Sequence, residues 1–134
     1  MIVVYTEGSN HSCRQTIRWF RNEKIPFEER RINQQHPITK NELRWLLSQT
    51  DNGVKDILKY RTLKTRRFKL DFNKSKLSDV IDLIIANPSL LKNPIITDGR
   101  KLVAGYNGER IRCFVPKNRR QEWRERNVNY PPFS

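Results

Sequence analysis

Cys13 is the residue whose type and surroundings best suit chemistry. It stands in the segment Asn10-His11-Ser12-Cys13-Arg14, and Cys13, Ile17 and Phe20 then recur at the helical period. A thiol in the first turn of a helix beside an arginine is expected to have a lowered pKa and an available thiolate. The plainer reading is a small, partly buried cysteine that only packs. The other cysteine, Cys113, lies far along the chain, so any oxidation of the unpaired Cys13 is expected to give a sulfenic acid, a mixed disulfide or a dimer. The two cysteines and two histidines are scattered. Zinc-ligand spacing is missing, and neither a metal nor a cofactor is expected. The other residues of chemical interest are cations. Residues 57–76 hold eight basic residues against one acidic residue, Asp71, and the end of the chain is basic again.

The elements that must position these groups can be read from periodicity. Ile2, Val3, Val4 and Tyr5 form a short apolar run, as in a strand buried on both faces. A polar loop over residues 7–12 follows, and then the Cys13 helix, which should stop before Pro26. Phe27 to Ile32 reads as a second, more polar strand, and the strand–helix–strand order implies a right-handed crossover and a parallel pair. Thr39 and Glu42 form a capping box, flanked by Ile38 and Leu43 as a hydrophobic staple, with Leu43, Leu46 and Leu47 facing inward. Thr50-Asp51-Asn52-Gly53 breaks that helix, and Val54, Ile57 and Leu58 suggest another short one. Ser75 is expected to cap a helix carrying Leu77, Val80, Ile81, Ile84 and Ile85, ended by Asn87-Pro88. Two short strands flank the turn signal Asp98-Gly99. A last helix is expected from about Gly108, capped by Asn107, with Ile111 and Val115 inward and Pro116 as its stop.

The order βαβ, helical insert, ββα is that of an α/β fold of the thioredoxin and glutaredoxin kind, a four-stranded mixed sheet with a helical insertion. One domain is expected over residues 1–116, with the insert at about 38–87 and a basic, flexible tail over 117–134. At 134 residues the chain is long enough to bury a core without disulfides. It has no apolar run long enough to span a membrane as a helix, its first residues are not expected to be a secretory signal, and its cysteine usage suits a reducing cytoplasm. Its net charge of +13 points to nucleic acid or an acidic protein surface.

In a thioredoxin-like fold the loop between the first strand and helix carries a CxxC motif. Here Asn10 stands at the first cysteine and Cys13 at the second. Together with Tyr5-Thr6, Ile25-Pro26-Phe27-Glu28-Glu29-Arg30, Asp51-Asn52-Gly53, Leu90-Leu91-Lys92-Asn93-Pro94-Ile95-Ile96 and Val103-Ala104-Gly105-Tyr106-Asn107, the segment resembles the arsenate reductase superfamily, and within it the Spx branch. The resemblance covers residues 1 to about 118. It implies a cytoplasmic transcription regulator that binds the C-terminal domain of the RNA polymerase α subunit and alters promoter use under stress, without catalytic turnover. It places Gly53 at that interface, flanked by Ser9 and Asn10, and it implies proteolytic control through the C-terminus, although Asn129-Tyr130-Pro131-Pro132-Phe133-Ser134 departs from the family's usual tail.

The residues argue against the reductase chemistry of the wider superfamily. There a cysteine at the Asn10 position attacks the oxyanion and arginines hold it; an amide cannot supply a thiolate. One such arginine falls on Asn93 and another near Ala104, and Arg61 alone matches the third. Pro94 corresponds to the cis-proline of thioredoxin folds and is expected to shape the site floor. The alternative function, a thiol or arsenate oxidoreductase using Cys13, would have to work without those groups. Lys64, Arg66 and Arg67, with Arg119 and Arg120 in the tail, are candidates to touch promoter phosphates once the polymerase subunit has docked; such contacts add affinity without reading bases. A solvated basic face is the competing reading. No helix-turn-helix or zinc finger is visible, which argues against autonomous sequence-specific binding.

Overall fold

The structure, a computed structural model, describes residues 1–8, 10–59 and 76–116. Four strands form one sheet in the order β2-β1-β3-β4: β1 (Ile2–Glu7), β2 (Phe27–Ile32), β3 (Ile95–Thr97) and β4 (Leu102–Ala104). The pair β1–β2 is parallel, while β1–β3 and β3–β4 are antiparallel. The helices are α1 (His11–Asn22), α2 (Lys40–Leu47) and α3 (Leu77–Ala86).

Side-chain alternation along the strands divides the core into two layers. Val4, Ile96 and Val103 pack with Phe20 and Ile25 of α1 and its exit, and with Ile111 and Phe114. Tyr5 and Ile95 face the other way, onto Leu43 and Leu46 of α2 and Val80, Ile81 and Ile84 of α3. The thioredoxin-like sandwich read from the sequence is therefore the observed architecture.

The local devices are those the residues dictate. The Thr39 side chain accepts the Glu42 N–H at 3.1 Å, and Glu42 Oε1 accepts the Thr39 N–H at 3.1 Å, closing the capping box. Ile38 and Leu43 are both buried beside it. An Arg30 clamp holds α2 against the sheet. Its guanidinium donates twice to the Glu42 carboxylate at 3.0 Å and also to the backbone oxygens of Arg31, His36 and Pro37. Such paired bonds fix the angle at which α2 leaves β2.

Several expectations need correction. β1 extends to Glu7, because parallel pairing with β2 continues as far as Ile32. The N-cap of α3 is Lys76, with no side-chain cap bond, and the expected cap Ser75 lies outside the described residues. Leu77 is exposed, since the first turn of α3 precedes the part that meets the sheet, and Leu47 is half-buried. The helix expected after Gly53 is a 3-10 turn, Gly53–Asp56. The last helix begins later than expected and is also 3-10, Arg110–Phe114. Asn107 Oδ1 accepts from the backbone N–H groups of Glu109 and Arg110, and Pro116 leaves room for little more than one turn. Its buried residues are Ile111 and Phe114, with Val115 half-buried. The basic segment of residues 60–75 and the tail of residues 117–134, with Arg61, Lys64, Arg66, Arg67, Arg119 and Arg120, fall outside the described residues, as does Ser9.

Candidate functional site

Two neighbouring features make up the site. The first is the junction of β1, α1 and the loop before β3. The Asn10 side chain caps α1, its Oδ1 accepting the Cys13 N–H at 2.8 Å. Asn93 bridges from across the sheet. Its Oδ1 accepts the Glu7 N–H at 2.9 Å and lies 4.0 Å from Cys13 Sγ, while its Nδ2 donates to Glu7 Oε2 at 3.2 Å. The Asn93–Pro94 peptide is cis, as the sequence position suggested, and the Pro94 carbonyl accepts the Gly105 N–H at 2.7 Å.

Cys13 sits inside this junction with 5% of its surface exposed. Burial pushes its thiol up. The Glu7 backbone and the Asn10 side chain pull the other way by hydrogen bonding, and the Glu29 and Glu7 carboxylates add to the rise. The direction is the reverse of the lowered pKa expected at the helix terminus, because burial and the two carboxylates outweigh the two hydrogen bonds. The protonated thiol is a poor nucleophile. Neither cysteine forms a disulfide.

The second feature is the turn that α2 delivers. Asp56 Oδ2 accepts the backbone N–H groups of Asp51 and Asn52 at 3.0 Å each, and Oδ1 takes the Asn52 side-chain amide at 3.3 Å. Burial would raise the Asp56 carboxyl, but these bonds and the nearby Lys92 charge hold it below the usual carboxylate range. The ring of bonds presents Gly53 at φ +70°. Among the described residues a Cβ built there meets nothing within 4 Å, so they leave the space beside it open. Glycine is required by the backbone rather than by crowding.

Between this turn and the sheet lies a polar pocket of about 250 Å³. Its lining includes Gln49, Thr50, Asp56, Lys92, Ala104 and Arg110. Lys92 precedes Asn93, so the pocket adjoins the cysteine junction along the chain. Gln49 is itself fixed by the Thr97 hydroxyl, which donates to its side-chain oxygen. Arg110, Gln49 and the bridging role of Asn93 were not singled out in the sequence. The position of Asn93, directly before a proline matched to the cis-proline of thioredoxin folds, is the one available signal among these. Among the described residues no group of three or more His, Cys, Asp or Glu side chains is placed to hold a metal. No helix among them is long and apolar enough to cross a membrane.

Comparisons with known proteins agree on the family. Residues 5–114 match the ArsC family. The chain is 37% identical over 121 residues to Global transcriptional regulator Spx 1 of Lactococcus lactis, covering 90% of this chain and 94% of that protein. It is 36% identical over 126 residues to Global transcriptional regulator Spx of Streptococcus pneumoniae, covering 93% and 94%. Among solved structures, an ArsC family related protein from Bacteroides fragilis superposes with a TM-score of 0.69 at 19% identity, over 84% of this chain and 96% of the other. A possible arsenate reductase from Streptococcus mutans gives 0.62 at 17%, over 83% and 97%; likeness at this level speaks to fold alone. With the ArsC match across most of the chain and Spx relatives above one third identity along nearly its full length, the chain belongs to the Spx branch of the ArsC family.

Proposed function

We propose that this chain is a transcription regulator of the cytoplasm that docks on the C-terminal domain of the RNA polymerase α subunit and redirects promoter use under stress, without catalytic turnover. The observation that carries this reading is Asn10. Where a reductase of this fold needs its nucleophilic thiolate, an amide side chain is committed to capping α1. The relatives named global transcriptional regulators support the regulator role. A single domain over residues 1–116 would carry the docking surface, formed by Gly53 with Ser9 and Asn10. The open space beside Gly53 suits close approach of a partner. Lys64, Arg66, Arg67, Arg119 and Arg120 would add phosphate contacts once the polymerase has docked.

The oxidoreductase alternative has less support. Cys13 is buried and its thiol is raised, and Asn93 occupies an oxyanion-binding position of the family with a side chain already bonded to Glu7. Calorimetric titration of the full chain with the isolated C-terminal domain of the α subunit tests the reading, alongside arsenate reduction coupled to glutathione or thioredoxin. Binding without turnover is the expected result; turnover that disappears in Cys13→Ala would overturn it.

A further inference from the structure

Helix α1 carries Arg14, Arg18 and Arg21 and no acidic residue between His11 and Asn22. Their spacing of four and then three residues sets all three on one face of the helix, along about 10 Å of its axis. All three are exposed. The opposite face holds Cys13, Thr16 and Phe20, buried against the sheet. The arrangement goes against local preference: like charges three and four residues apart destabilise a helix, and a first-turn arginine opposes the helix dipole. Among the described residues no salt bridge involves Arg18 or Arg21.

The other layer is built differently. Helix α3 carries Asp79 and Asp82 and no base, and α2 mixes Lys40 and Arg44 with Glu42. These charges are partly paired across elements, Lys40 with Asp82 at 3.2 Å and Arg30 with Glu42 at 3.0 Å. The positive charge of the described residues is thus concentrated in the α1 layer, where Arg112 of the last 3-10 turn is also exposed. A break of a local rule, as at Arg18 and Arg21, is expected at functional or strained sites.

We propose that the outer face of α1, through Arg14, Arg18 and Arg21, is a docking surface for the phosphate backbone of double-stranded DNA. Guanidinium groups present planar forks that match phosphate oxygens, and a rod of three at near-regular spacing can follow a strand that carries one charge at each nucleotide. An acidic protein would need carboxylates in matching register; a duplex supplies phosphates everywhere, so the contact needs no sequence preference. In sequence these three arginines fall outside the basic segments of residues 60–75 and 117–134. The inference rests on the reading of the chain as a regulator acting at promoters.

The test is fluorescence anisotropy of a mixed-sequence DNA duplex with the full chain over a range of salt. For wild type, the logarithm of affinity should fall linearly with the logarithm of salt. Arg18→Gln/Arg21→Gln should flatten that slope by about 1.8, at about 0.9 per phosphate contact. Arg18→Lys/Arg21→Lys should keep the slope, and so should Arg44→Gln/Lys76→Gln, which removes the same charge from the other layer. No measurable duplex binding by wild type, an unchanged slope in the α1 glutamine variant, or equal flattening in both glutamine variants would overturn the inference, the last by assigning the effect to net charge alone. The same proteins are titrated with the C-terminal domain of the polymerase α subunit. Binding of that domain with an unchanged DNA slope removes the α1 inference and leaves the docking proposal standing. A flattened slope with no binding of that domain, even by wild type, does the reverse.

Discussion

Asn93 and Glu7 hold each other by two bonds. The amide oxygen accepts the Glu7 N–H at 2.9 Å and the amide nitrogen donates to the Glu7 carboxylate at 3.2 Å. The pair ties the end of β1 to the loop entering β3, directly beneath Cys13. An arginine at position 93 would project a cation in search of an anion. The asparagine instead joins the site to the sheet. Asn93→Ala leaves the Glu7 N–H without its side-chain acceptor in a partly buried place, and a loss of about 1–3 kcal/mol is expected. Urea unfolding of wild type and variant measures it; identical midpoints would show that the bridge contributes nothing.

Asn10 should behave as a helix cap. Asn10→Ala removes the acceptor of the Cys13 N–H, and stability should fall by about 1 kcal/mol, whereas Asn10→Ser should recover most of it. Thermal melts followed by circular dichroism decide this. An alanine variant as stable as wild type would argue that position 10 is free for another role.

Cys13 should resist alkylation. Its raised pKa keeps it protonated at neutral pH, and its burial keeps reagents out. Iodoacetamide labelling read by mass spectrometry should modify the half-buried Cys113 first and Cys13 only as the pH climbs above the ordinary thiol range. Labelling of Cys13 at neutral pH at the rate of a free peptide thiol would contradict the structure. After mild peroxide, an intramolecular Cys13–Cys113 bond should likewise be missing.

Tyr5 should make the fold sensitive to alkali. Burial, then the Glu42 carboxylate, push its phenol up to about 12, against the opposing charge of Arg30. A raised native pKa means that the native state holds the proton more tightly than the unfolded chain. The resulting stability is complete below about pH 10 and is lost as pH rises towards 12. The two-unit difference corresponds to roughly 2–3 kcal/mol at most. Tyr5→Phe should show a shallower loss of stability across that window than wild type; equal losses would mean that the phenol ionises freely in the fold.

Much of this arrangement was legible in the residues. The capping box at Thr39, the Asp98-Gly99 turn and the apolar period of α1 are local signals, and each produced its element. The positive φ at Gly53 was legible for the same reason: three polar turn residues precede it. The errors are non-local. The state of the Cys13 thiol depends on burial in the folded chain and on carboxylates from β1 and β2, which the helix-terminus rule ignores. The Asn93–Glu7 bridge joins residues 86 positions apart. The final 3-10 turn reflects competition between an Asn107 cap and Pro116 that periodicity does not weigh.

The central claim, that the Gly53 turn receives the C-terminal domain of the polymerase α subunit, is tested most directly by calorimetric titration of that domain into wild type and Gly53→Arg. Among the described residues nothing lies within 4 Å of a Cβ added at Gly53. The backbone at φ +70° should cost about 1–2 kcal/mol, leaving the variant folded. An interface core packs as densely as a protein interior, so an arginine there should exclude the partner. Binding by wild type and none by a variant whose melt confirms its fold is the expected result. Undiminished affinity in the folded Gly53→Arg protein would place the partner elsewhere on the surface.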